Sequence, residues 1–149
     1  MSIDSNQHLF RPIRLGNLDL PNCIVMAPLT RMRAANAELA PTVLHADYYA
    51  QRASAGLIIS EGIFVSPEAV GWADVPGLWS EGQVRSWSKV TDAVHRAGGR
   101  IVAQLWHTGS LGHPDFHGGK APLSASAVRE AAPASAAVSP RRCTSAAIR

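Results

Sequence analysis

The chain has 149 residues, 46% of them hydrophobic and 17% charged, enough for one domain with a real core and unlike a disordered tail protein. Its net charge of +3 is local: residues 1–128 hold ten Lys/Arg and ten Asp/Glu, and the excess lies in Arg129, Arg141, Arg142 and Arg149 against Glu130. A nucleic-acid surface spreads its charge over folded elements, and no apolar run reaches the length of a membrane span, so neither nucleic acid nor membrane is an expected partner.

Ile13–Leu20 alternates apolar and polar residues on both sides of Gly16-Asn17, which predicts a tight hairpin. Cys23–Met26 is a short apolar run and reads as a strand buried on both faces, as in parallel sheets. It ends at Ala27-Pro28-Leu29-Thr30-Arg31. From about Thr42 to Ser54 the pattern is helical, with Leu44, Tyr48, Gln51 and Arg52 at helix spacing and Gly56 closing the end. Leu57–Ser60 reads as a second buried strand, ending at Glu61-Gly62.

A loop of about 17 residues follows, with Pro67, Gly71, Pro76 and Gly77. That exceeds a plain connection, so it is expected to line or cover a site. Ser80 and Gln83 form a capping box before an apolar stripe of Val84, Trp87, Val90 and Val94. Gly98-Gly99 ends that helix, and Ile101–Trp106 is a third strand. Strands alternating with amphipathic helices predict parallel βαβ units with right-handed crossovers. Residues 129–149 hold seven alanines and no aromatic residue. They are expected to be a poorly ordered Ala/Arg/Pro-rich tail, a change of character that a shifted reading frame would produce.

Parallel α/β folds place functional residues at the C-terminal ends of strands. Here those ends offer the Thr30 hydroxyl, the bare backbone of Gly62 and the Gln104 amide. These neutral groups suit a polar heterocycle better than a phosphate or a metal. No Gly-x-Gly-x-x-Gly and no P-loop follows the first strand. Each residue also has a structural reading: Thr30 as a strand terminator, Gln104 as a satisfied buried amide, Trp106 as core. His107, His113 and His117 match no tight zinc spacing and are interleaved with Gly and Pro, so no metal is expected. No nucleophile elbow is present either. The two cysteines, Cys23 and Cys143, lie far apart. With a polar N-terminus that lacks a signal-peptide core, they suggest a cytoplasmic chain with free thiols.

In order, several segments resemble the Old Yellow Enzyme family. They are Leu9–Ile13 with Leu18–Asn22, Met26–Arg31, Tyr48–Ala53, Gly56–Glu61, Gln104–Gly109 and His113-Pro114. The resemblance covers about residues 8–128. It implies the N-terminal portion of a (β/α)8 TIM barrel, with a leading hairpin and three of the eight parallel strands. It also implies FMN as cofactor, NADH or NADPH as reductant, and a small-molecule enone-type substrate. By the same resemblance Pro28 and Leu29 would border the isoalloxazine through the backbone. Thr30 would hydrogen-bond near its O4/N5 edge, Gly62 (often Ala in relatives) would contact the same edge, and Gln104 would bind the pyrimidine portion. Trp106 would shape the substrate side. The family's substrate-gripping His pair, proton-donating Tyr and phosphate-binding Arg come later than these segments, so no catalytic residue is assigned here. Ser110 stands where relatives carry Arg. The alternative readings are a non-catalytic truncated fragment and a small α/β binding module.

Overall fold

The computed structural model describes residues 8–126; the expected tail at 129–149 lies outside them. Strands β1 (Ile13–Leu15) and β2 (Leu18–Leu20) form the expected hairpin, with Leu15 opposite Leu18. Gly16 takes a φ of +59° at the turn, the conformation glycine adopts without steric cost. A second sheet follows, made of β3 (Val25–Met26), β4 (Leu57–Phe64) and β5 (Ile101–Trp106), all parallel and in that order. Helix α1 (Val43–Ala50) joins β3 to β4, and α2 (Glu81–Arg96) joins β4 to β5.

The two helices cover one face of this sheet. Tyr49 of α1 and Trp87, Val90 and Val94 of α2 pack on Ile58 and Ile63 of β4. Full burial of a side chain such as Val90 stabilises the fold by about 1.5–3 kcal/mol. Ser80 caps α2: its Oγ accepts the Gln83 N–H at 3.2 Å, and the Gln83 Oε1 accepts the Ser80 N–H at 3.0 Å. The buried stripe differs from the expected one by one position. Gln83 is buried while Val84 is 50% exposed. Gln83 tolerates burial because its Oε1 also accepts the Trp79 N–H and its Nε2 donates to the Glu38 carbonyl.

The face that α1 buries holds His45 and Tyr49, whereas Leu44 is 58% exposed. Two further expectations are corrected. β4 does not stop at Ser60 but runs to Phe64. β3 and β5 are not buried strands: Val25 is 46% and Leu105 63% exposed. Both are edge strands, each with β4 as its only neighbour among the described residues. Leu105 shares the helix-side face with its partner Ile63, yet no α-helix follows β5 among the described residues.

The long loop packs over the C-terminal end of the sheet. Ala69 and Val75 pack on Phe64, with Trp72, Trp79 and Trp106 around them. The Trp87 indole N–H donates to the Gly77 carbonyl at 3.1 Å and fixes the loop to α2.

Candidate active site

A bulge in β4 builds the site. Ile59 pairs with Val102 and Gly62 with Gln104, so Ser60 and Glu61 oppose Ala103 alone. Side chains alternate along a strand, so Ile58 and Ile63, an odd number apart, would otherwise face opposite ways. The extra residue brings both to the helix side. Gly62 and Phe64 then share the other face with their partners Gln104 and Trp106.

The bulge residues also connect the three strand ends. The Ser60 hydroxyl accepts the Gln104 N–H at 3.1 Å and donates to the Glu61 carbonyl at 2.8 Å. The Glu61 Oε2 accepts the N–H of Arg31, the residue after Thr30, at 3.2 Å. The Tyr49 hydroxyl donates to Glu61 Oε1 at 3.3 Å and accepts the Glu61 N–H at 2.8 Å. Glu61 and Tyr49 have no exposed surface. Burial pushes the Glu61 carboxyl above its ordinary value; the Arg31 amide, the Tyr49 hydroxyl and the Arg31 charge hold it back. Burial also raises the Tyr49 phenol.

His45 completes the group. Its Nδ1 accepts the Thr42 N–H at 3.0 Å, so the neutral ring carries its hydrogen on Nε2. That nitrogen lies 3.6 Å from Glu61 Oε1, with no hydrogen-bond partner. Burial lowers the His45 pKa and favours the neutral ring. A cavity of about 160 Å³ opens beside this group, lined by Arg31, Arg33, Leu44, His45, Tyr48 and Glu61.

The expected site residues fall in two places. Gly62 and Gln104 are side by side, and Trp106 stands two pairs further along on the same face, stacked on Phe64 at 5.3 Å and on Trp72 at 5.1 Å between ring centroids. A Cβ on Gly62 would overlap the Trp106 ring; the missing side chain is what admits that ring. Pro28, Leu29 and Thr30 follow β3 directly and are tied to β4 through Arg31 and Glu61. The expectation of a buried Gln104 is corrected: it is exposed, because it lies on an edge strand with no described element over that face. The side chains of Thr30 and Gln104 have no hydrogen-bond partner among the described residues. One hydroxyl and one carboxamide with free donors and acceptors fit the carbonyl and N–H groups of a flavin's pyrimidine edge.

The three histidines do not converge. His107 Nδ1 accepts the Gly109 N–H, and His113 Nδ1 accepts the Asp115 N–H, so both shape their own loop. Sequence reasoning missed Glu61, Tyr49 and His45 as a unit. The available signal was a charged residue inside the apolar run Leu57–Phe64.

Known proteins share this fold and much of its sequence. The flavin oxidoreductase hxnT of Emericella nidulans is 44% identical over 129 residues, covering 84% of this chain and 33% of that protein. The structure of morphinone reductase in complex with tetrahydroNAD superposes with a TM-score of 0.76 at 47% identity, over 83% of this chain and 34% of that one. The old yellow enzyme homologue from Zymomonas mobilis does so with a TM-score of 0.72 at 52% identity, over 76% and 32%. The chain therefore spans about a third of the length of these relatives and holds part of their (β/α)8 barrel. The profile of the NADH:flavin oxidoreductase / NADH oxidase family matches residues 8–145, and with parallel strands whose ends carry Thr30, Gly62 and Gln104, the chain belongs to that family, the Old Yellow Enzymes.

Proposed function

We propose that this chain is the N-terminal portion of an FMN-dependent oxidoreductase that uses NADH or NADPH to reduce activated alkenes such as α,β-unsaturated carbonyls. The observation that carries this reading is the register of β4 and β5, which sets Gly62, under the Trp106 ring, beside a Gln104 carboxamide that has no hydrogen-bond partner among the described residues. The chemistry FMN supplies when bound is hydride relay from the nicotinamide to the electron-poor alkene carbon. Gln104 would orient the pyrimidine portion, since a carboxamide both donates and accepts. Thr30 would donate its hydroxyl hydrogen at the ring edge, and Pro28 and Leu29 would border the ring through their backbone. Trp106, braced by Phe64 and Trp72, would limit the substrate side. The relatives' names support the nicotinamide and the carbonyl-type substrate. Cys23 is exposed and forms no disulfide among the described residues, which suits a reducing compartment and supports a cytoplasmic location. No helix among the described residues is long and apolar enough to cross a membrane.

The test is a transplant of residues 8–126 into the matching segment of a full-length relative. FMN should co-purify with the chimera, and cyclohexenone should be reduced at the expense of NADH or NADPH. Gln104→Ala and Thr30→Ala should each weaken FMN binding. A folded chimera without FMN would overturn the reading.

A further inference from the structure

Glu61 is fully buried and precedes Gly62 directly, yet the flavin reading gives it no task. Its surroundings are all donors. Arg31 offers a backbone N–H at 3.2 Å, Tyr49 a hydroxyl at 3.3 Å, and neutral His45 an Nε2–H at 3.6 Å. A carboxylate only accepts, whereas a glutamine would set an NH2 against one of these donors. The group on Arg31 that it binds is the main-chain amide, so the contact holds backbone.

That backbone needs holding. Met32, the next residue, has a φ of +52°. This region is unfavourable for a non-glycine residue and persists where neighbours over-determine it. Two further constraints lie downstream: Met32 packs against the Phe64 cluster, and the Ala34 N–H donates to the Asp74 carbonyl at 2.9 Å. Upstream of Met32, the Glu61 contact holds the chain next to Thr30.

We propose that Glu61 is a positioning residue, whose carboxylate clasps the Arg31 amide and thereby fixes the Thr30 hydroxyl relative to Gly62 and Gln104. The role of Thr30 rests on the proposed flavin function; the clasp itself belongs to the chain without cofactor.

Amide exchange followed by NMR on the purified chain tests the clasp. A hydrogen bond to a charged group is worth enough that Glu61→Gln should speed exchange of the Arg31 amide about tenfold or more. Amides of α2 should change less than about twofold. Tyr49→Phe frees one carboxylate oxygen and should give a smaller rise at the same place. Unchanged exchange at Arg31 in both variants overturns the clasp. If Glu61→Gln unfolds the whole chain, Tyr49→Phe decides: a rise at Arg31 that exceeds the rise of the α2 amides supports the clasp, and an equal rise or none at Arg31 overturns it.

The chimera tests the target. Glu61→Gln should shift the absorption maximum and reduction potential of bound FMN, and the shift should vanish when Thr30→Ala is already present. An equal shift in both backgrounds overturns positioning through Thr30. A chimera that binds no FMN refutes the functional reading and leaves the exchange result to judge the clasp.

Discussion

Removing the hydroxyl of Tyr49 is the sharpest test of how this fold holds a charge in its core. Tyr49→Phe keeps the ring, its place beside Trp87 and nearly all its buried area. Two bonds are lost. The Glu61 N–H at 2.8 Å becomes an orphan inside β4, which costs about 1–3 kcal/mol. The Glu61 carboxyl also loses a donor at 3.3 Å; at that length the low end of the charge-assisted range, about 1.5 kcal/mol, applies. The two losses share one hydroxyl and do not add fully, so about 2–4 kcal/mol is expected. With a urea m-value of about 2 kcal/mol per molar, the midpoint should fall by roughly 1–2 M, read by far-UV circular dichroism. Tyr48→Phe is the control. Its hydroxyl has no hydrogen-bond partner among the described residues, and its ring contacts with Arg31 and Arg52 survive. It should change stability by less than about 0.5 kcal/mol. A Tyr49→Phe midpoint within error of wild type, or an equal loss in Tyr48→Phe, would refute the reasoning.

Gln83→Ala should cost about 2–4 kcal/mol in thermal unfolding, because it orphans the N–H groups of Trp79 and Ser80 and the Glu38 carbonyl; Val84→Ala, on the exposed side, should cost less than about 0.5 kcal/mol. His45 titrates below its ordinary 6.5 because it is buried, so the folded chain binds this proton less readily than the unfolded chain. Its contribution is complete above pH 6.5 and is lost as the pH falls through the folded value. Glu61 runs the opposite way: its raised folded pKa favours the folded chain near 4.5 and below, and that gain fades as the pH rises above 4.5. Melting temperatures at pH 7.5 and 5.5 should therefore converge in His45→Gln relative to wild type, and an undiminished difference refutes the assignment. The 149-residue chain expressed alone should oxidise NAD(P)H with cyclohexenone no faster than free FMN, since Val25 and Leu105 expose apolar surface on two sheet edges that are unpaired among the described residues; turnover clearly above that level would refute this.

Much of the architecture was legible because it rests on local rules. The Gly16-Asn17 turn, the Ser80–Gln83 capping box and the Ile101–Trp106 strand all stand where spacing placed them. Hydrophobicity alone is a poor guide to burial in this chain. On α1, Leu44 lies outside the core and its polar neighbour His45 inside it, 3.6 Å from a buried carboxylate. On α2 hydrophobicity favoured Val84 over a Gln83 whose amide is fully bonded. On β5 the boundaries were right, but burial depends on neighbours, and an edge strand has one.

Glu61 shows what spacing alone could not reveal. A charge after Leu-Ile-Ile-Ser reads as the end of a strand, since an unpaired buried carboxylate is too costly to continue through. The strand continues because the donors arrive from elsewhere in the chain: Tyr49 from the helix before it and Arg31 from the strand end before that. Neither partner is visible at helix or strand period around position 61. Once those donors are in place, the apparent interruption has a geometric consequence. The extra residue at Ser60–Glu61 restores the facing of Ile63 to the helix core and turns Gly62 toward the face of Gln104. A strand without the bulge would have to give up one of the two. It would leave either the core contact of Ile63 or the juxtaposition of Gly62 and Gln104. The buried carboxylate and the candidate flavin site are thus two results of the same irregularity in β4.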